Sequence, residues 1–181
     1  NIYILFYYKY MFSIKKTTLN ALENKYSIVK HPTKSSGPSG VLDTTFGPNG
    51  EGKFITDIDN KDNFSRSIEI DDTYIYVCGY TRHISSDSNG PVDVLRRFTI
   101  VRYKKDDYTL SPSIVNTHIS HHESDSISTQ LKLYNGSIYV SGYVGTKQED
   151  SDLYKYDFVV VKYTSNLTLD NTFGTSGILA V

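Results

Sequence analysis

Apolar and polar residues alternate with a period of two along most of the chain, the signature of strands with one buried face. Residues 53–58 (KFITDI) and 66–70 (RSIEI) carry that alternation. Asp71, Asp72 and Thr73 then form a tight turn into 74–80 (YIYVCGY), and 97–103 (RFTIVRY) follows a long polar loop at 81–96. The plan returns at 114–119, 127–133, 137–143 and 157–163. Asn135-Gly136 between two alternating runs predicts a hairpin, because both residues tolerate positive φ. No helix-period window interrupts these runs, so each unit is predicted to be a four-stranded antiparallel meander. Residues 11–24 end in SIKKTTLNALEN and predict a helical or irregular lead-in.

The units are copies. Leu42–Gly47 (LDTTFG) reappears as Leu169–Gly174 (LDNTFG), Ile75–Tyr80 (IYVCGY) as Ile138–Tyr143 (IYVSGY), and Phe98–Tyr103 (FTIVRY) as Phe158–Tyr163 (FVVVKY). A third copy of the last motif stands at Tyr26–His31 (YSIVKH). Three motifs recurring in one order define a repeat of about sixty residues. Cut at the LD-x-T-F-G motif, the chain divides into an N-terminal extension (1–25), a partial repeat (26–52), one repeat at 53–113, a second at 114–174, and the first strand of a further one at 175–181.

The third and fourth strands of each unit hold near-continuous apolar runs, such as Val159–Val161, which calls for cover on both faces. Four-stranded sheets stacked radially meet that need, so the expected fold is all-β and a partial β-propeller, with about two full blades and partial blades at each end. A β-sandwich is the alternative. Propellers close with about four to eight blades. Two blades therefore imply a piece of a longer array, self-association that completes a ring, or an open sandwich.

Composition narrows the function. Nineteen Lys and Arg against 20 Asp and Glu leave a net charge of -1, without the basic excess of a nucleic-acid binder. Tyr is abundant (16) and Trp absent, which fits sheets with one wet and one buried side. The lone Cys78 excludes an intrachain disulfide and a cysteine-based zinc site. No apolar run is long enough to span a bilayer as a helix. The opening NIYILFYYKY lacks both a positive n-region and a small-residue cleavage site. It reads as sequence upstream of an initiating Met11, or as the interior of a longer protein.

Candidate chemistry gathers in loops. The segments 59–65, 81–96, 120–126 and 144–156 are long and polar, and a meander places them at one end, where repeat proteins build binding surfaces. His121, His122, Glu123 and Asp125 (from HISHHESD, 118–125) and Asp59 and Asp62 (from DIDNKDN, 57–63) are the candidate binding residues. His118 and His121 are an odd number of positions apart and face opposite ways on a strand, so they do not chelate together there. The 57–63 loop has Lys61 at the fifth calcium-ligand position and no glycine at the sixth, which rules out an EF-hand. Cys78 reads as a buried inert thiol. No phosphate loop, nucleophile elbow or diagnostic carboxylate pair is present, so no catalytic residue and no cofactor are expected.

The pattern LDTTFGPNG (42–50) and LDNTFGTSG (169–177), followed by a hairpin and then F-x-x-x-[RK]-Y, resembles the delta-60 repeat family over residues 26–181. The resemblance implies propeller-like blades and the bacterial surface or secreted setting usual for that family. Where a further LD-x-x-F-G would follow Tyr103, the chain reads KKDDYTLSPSIV, a degenerate linker. Asp43 and Asp170 are expected to bond backbone N–H groups two positions on and set the chain reversal between blades. Phe46 and Phe173 should anchor the seam, and Gly47 and Gly174 should supply positive φ. Gly79 and Gly142 should end the third strand beside a closely approaching backbone. The expected function is a non-catalytic module for binding or scaffolding, with a protein or carbohydrate ligand. A propeller enzyme acting on carbohydrate in a central channel and a surface adhesion protein are the alternatives, because fold alone does not select function.

Overall fold

The computed structural model describes strand backbone within residues 3–31, and residues 41–84, 94–117, 119, 125–148 and 154–181. These contain strands and no helix. The first group is β1 (Tyr3–Tyr7), β2 (Tyr10–Ile14), β3 (Thr17–Asn20), β4 (Glu23–His31) and β5 (Lys53–Thr56). A second comprises β6 (Asn63–Ile70), β7 (Tyr74–Ile84), β8 (Val94–Lys104) and β9 (Ser113–Thr117). The third comprises β10 (Asp125–Tyr134), β11 (Ser137–Lys147), β12 (Tyr154–Thr164) and β13 (Ile178–Ala180). Two four-stranded antiparallel meanders, β6-β7-β8-β9 and β10-β11-β12-β13, follow a five-stranded sheet in which β4 pairs with β2, β3 and β5.

The lead-in at 11–24 is therefore not helical: β2, β3 and the start of β4 occupy it. Its β-branched Ile14, Thr17 and Thr18 favour extended backbone, and pairing with β4 satisfies their N–H and C=O groups.

The hydrogen-bonded unit is also displaced by one strand from the unit counted along the sequence. β5 pairs with β4 of the first sheet, and β9 pairs with β8, so each edge strand belongs to the sheet that precedes it in the chain. The L-D-x-T motifs thus reverse the chain within a sheet. Passage from sheet to sheet occurs at 57–62 and 118–124. In the first of these, Asp59 and Asn60 adopt φ of 57° and 52°, a left-handed step that redirects the backbone.

Register confirms the copying. Tyr26 pairs with Thr56 as Phe98 pairs with Thr117, and Val181 donates its N–H to the Phe158 carbonyl at the third equivalent position. Both meanders carry a bulge at one point of their first strand, between Ser65 and Ser67 and between Ser128 and Gln130. Gly79 and Gly142 sit opposite these bulges. They do not end their strands, which run on to Ile84 and Lys147. A side chain at Gly142 would strike the Ile127 carbonyl and come within 2.8 Å of the Phe98 ring of the other meander.

The turn motifs are built alike. Asp43 Oδ1 accepts from the Thr45 N–H (3.0 Å) and hydroxyl (2.6 Å), and Asp170 Oδ1 accepts from the same groups of Thr172 at 3.1 and 2.6 Å. Asp107 Oδ1 accepts from Thr109 N–H at 3.2 Å and hydroxyl at 2.6 Å. The linker after Tyr103 has therefore kept its Asp-x-Thr turn while losing the flanking residues. Gly47 (φ 90°) and Gly174 (φ 56°) close against the carbonyls of Lys53 and Ile178, where a Cβ has no room.

Among the described residues, two clusters form the core. On one face of β6–β9, Ile68, Ile70, Ile75, Val77, Val101 and Tyr103 pack with Phe46, Ile58 and Phe54. On the other, Tyr76, Cys78, Phe98 and Ile100 pack against Leu131, Ile138, Val140, Val159, Val161 and Tyr163 of β10–β13. The middle sheet is thus covered on both sides.

Candidate binding face

The loops at 57–62, 85–93, 118–124 and 148–153 lead into the same end of their sheets, because Asn63 pairs with Thr81, Ile84 with Val94, Asp125 with Gly145 and Lys147 with Tyr154. This end is where the sequence placed its candidate residues. His121, His122 and Glu123 lie outside the described residues. Asp59 is exposed on the left-handed turn. Asp62 accepts from Arg82 Nη1 at 3.2 Å, and its carbonyl accepts the Arg82 N–H. Nearby, Lys61 Nζ lies 2.7 Å from His83 Nε2.

Asp125 is drawn inward. It is buried at the start of β10 and accepts from the Arg96 N–H at 3.0 Å, from Nε at 2.6 Å and from Nη2. Arg96 is on β8, so this forked contact ties one meander to the other. Its guanidinium is held even more firmly protonated than usual, chiefly by the hydrogen bond to Asp125. Arg82 and Arg96 are direct cross-strand partners, one serving its own sheet and the other the next. Of the four candidate carboxylates, Asp62 and Asp125 thus hold the scaffold together through arginines, while Asp59 is exposed and Glu123 lies outside the described residues.

Beneath Arg82 a row of polar side chains crosses the middle sheet. Asn63 Nδ2 donates to the Lys61 carbonyl (2.6 Å), Thr81 donates to Asn63 Oδ1 (2.9 Å), and Thr99 Oγ1 lies 2.7 Å from Asn116 Oδ1. Asn63, Thr81 and Thr99 are buried, and these bonds meet the cost of withdrawing them from water.

Beside the Arg96–Asp125 pair, a cleft of about 500 Å³ is lined by Arg96, Tyr143, Tyr156, Asp157 and Phe158. Tyr143 meets Tyr156 edge-on at 5.4 Å, and Tyr154 lies over Tyr156 at 6.2 Å. The Tyr156 hydroxyl is 3.5 Å from Asp125 Oδ2. An aromatic wall beside a fixed cation suits an amphipathic ligand that stacks one face and hydrogen-bonds along its rim. In the sequence, Tyr154 and Tyr156 fall in the polar 144–156 loop; their place on β12 and their convergence with Arg96, from another repeat, come from the fold.

Among the described residues, no group of three or more His, Cys, Asp or Glu is placed to hold a metal ion. No helix among the described residues is long and apolar enough to cross a membrane. The first strands of the repeats, β5 and β9, contain no carboxylate and no histidine: their buried side chains are Thr56 and Thr117. Comparison with family models, with curated proteins and with solved structures finds no match for this chain.

Proposed function

We propose that the chain is a non-catalytic repeat module of the β-propeller type, akin to the delta-60 repeats, whose loop-bearing end binds a carbohydrate or protein ligand. The observation that carries this reading is the recurring joint between sheets. Thr56 and Tyr103 hydroxyls meet at 2.8 Å, and Thr117 and Tyr163 repeat the contact at 2.6 Å, both buried. A side chain at the same point of successive sheets serves stacking, and these are the strands that would line a central channel. With threonines committed to tyrosines there, and Asp62 and Asp125 committed to arginines, the described residues favour a scaffold over a channel enzyme.

The ligand surface in this reading is the Tyr143–Tyr156 cleft. Titration with a panel of oligosaccharides, followed by tyrosine fluorescence and calorimetry, tests it. Binding weakened by Tyr156→Ala at unchanged fold supports the reading. Turnover of any glycan by the purified chain would replace it with the enzyme reading.

A further inference from the structure

Tyr156 lies over a residue that has no side chain. Gly145 is its cross-strand partner, and a Cβ built there would stand 2.5 Å from Cε1 and 2.9 Å from Cδ1 of the Tyr156 ring. The ring thus fills the place a side chain would take and reaches across β11 toward Asp125, which pairs with Gly145 from the other side. Its hydroxyl lies 3.5 Å from Asp125 Oδ2, Tyr143 meets it edge-on, and Tyr156 stays 48% exposed. An aromatic ring held from one side by backbone and open on the other is a platform for stacking.

The charges around this platform are already balanced. Arg96, the cation lining the cleft, has Nε and Nη2 on the Asp125 carboxylate, and Lys155 Nζ is 3.4 Å from Asp157 Oδ1. By sequence, the connections at 85–93, 118–124 and 148–153 hold Asp87, Asp93, Glu123, Glu149, Asp150 and Asp152 and no Lys or Arg. An incoming carboxylate or sulfate meets no unpaired cation among the residues lining the cleft, and it approaches through a negative field. Sugar hydroxyls, by contrast, donate to Asp157 and accept from the remaining Arg96 N–H groups while the pyranose ring stacks on Tyr156. Resting on the carbohydrate reading of this cleft, we infer that it takes uncharged glycans and rejects acidic ones. Gly145 is the positioning residue that sets the Tyr156 ring open to them.

Calorimetry on the purified chain, with neutral gluco-, galacto- and chito-oligosaccharides and the same backbones bearing carboxylates or sulfates, tests the selectivity. The neutral member of a pair should bind at least about tenfold more tightly than its acidic counterpart. An acidic member that binds as well or better overturns the inference and leaves the carbohydrate reading standing. If no glycan of either kind binds, or a peptide alone does, the carbohydrate reading and the inference fall together. Gly145 has no positive φ, so alanine meets no backbone strain there. Gly145→Ala should weaken neutral-glycan binding by roughly tenfold, as Tyr156→Ala does, while Tyr156→Phe keeps the ring and stays within about threefold of wild type. In a Tyr156→Ala background, Gly145→Ala should add nothing, because it acts through the ring. Additive losses, or wild-type binding by Gly145→Ala, would remove Gly145 from the positioning role.

Discussion

The hydroxyls of Thr117 and Tyr163 stand 2.6 Å apart in the buried seam between two sheets, joining the edge strand β9 of one sheet to the third strand, β12, of the next. Burial pushes the Tyr163 phenol well above its usual range, more than the hydrogen bond to Thr117 lowers it. Tyr103, bonded to Thr56, is shifted upward by the same cause.

Tyr163→Phe removes one partner and leaves the Thr117 hydroxyl buried without it. The expected loss is about 1–3 kcal/mol. Adding Thr117→Val should recover part of it, because the orphaned polar group is then gone. Chemical denaturation of both single variants and the double variant measures the coupling.

Alkaline titration probes the same joint. A phenol whose folded pKa is raised contributes stability that is complete below the unfolded value of about 10, and that is lost as pH climbs above it. Tyrosinate absorbance should therefore show exposed tyrosines titrating normally. Tyr103 and Tyr163 should ionise only together with loss of the β-sheet circular dichroism signal.

Phe98 and Phe158 are one repeat position in two settings. Phe98→Ala should cost about 3–5 kcal/mol, since the ring fills the seam over Gly142. Phe158→Ala, at an exposed ring, should change stability by less than about 0.5 kcal/mol. Equal effects would mean that the faces are not in the states described.

Acid should strike the last turn. The Lys162 ammonium, with help from Thr172, holds the Asp170 carboxyl down at about 2. A depressed folded pKa adds stability above the unfolded carboxylate range, and that stability drains away as pH falls toward about 2. Asp170→Asn should flatten the acid limb of a stability–pH curve and leave the alkaline limb unchanged.

Cys78 provides a reporter of the seam. It is fully buried between the meanders, and burial pushes its thiol up to about 12. Native protein should resist a thiol-specific reagent over hours, and denatured protein should react at once. Rapid native reaction would show the two sheets parting.

Much of the architecture was legible in the chain. Asn135-Gly136 announced its hairpin because few other pairs accept that turn. YSIVKH, FTIVRY and FVVVKY marked three equivalent strands through their apolar interior. Asp-Tyr-Thr at 107–109 is not legible as the same turn, since Phe and Gly are gone and only Asp and Thr make the bonds. Thr56 and Thr117 were unreadable as joint residues: a threonine in a strand is ordinary, and its tyrosine lies 47 or 46 positions away. Asp62 and Asp125 stood out as carboxylates in polar loops, yet arginines brought by neighbouring strands had claimed them.

β1, β2 and β3 were not legible in the sequence, but within the repeats it determined where strands run, which face of each is apolar, and that the pattern recurs about every sixty residues. Those properties follow from side-chain chemistry read at period two. Tertiary structure alone decided that β5 and β9 close the preceding sheets, that Asp125 is clamped to Arg96, and that Phe98 is covered while Phe158 is bare. Backbone hydrogen bonds are the same for every pair of antiparallel strands, so alternation cannot name a strand's neighbour. That choice falls to the long-range packing of whole sheets.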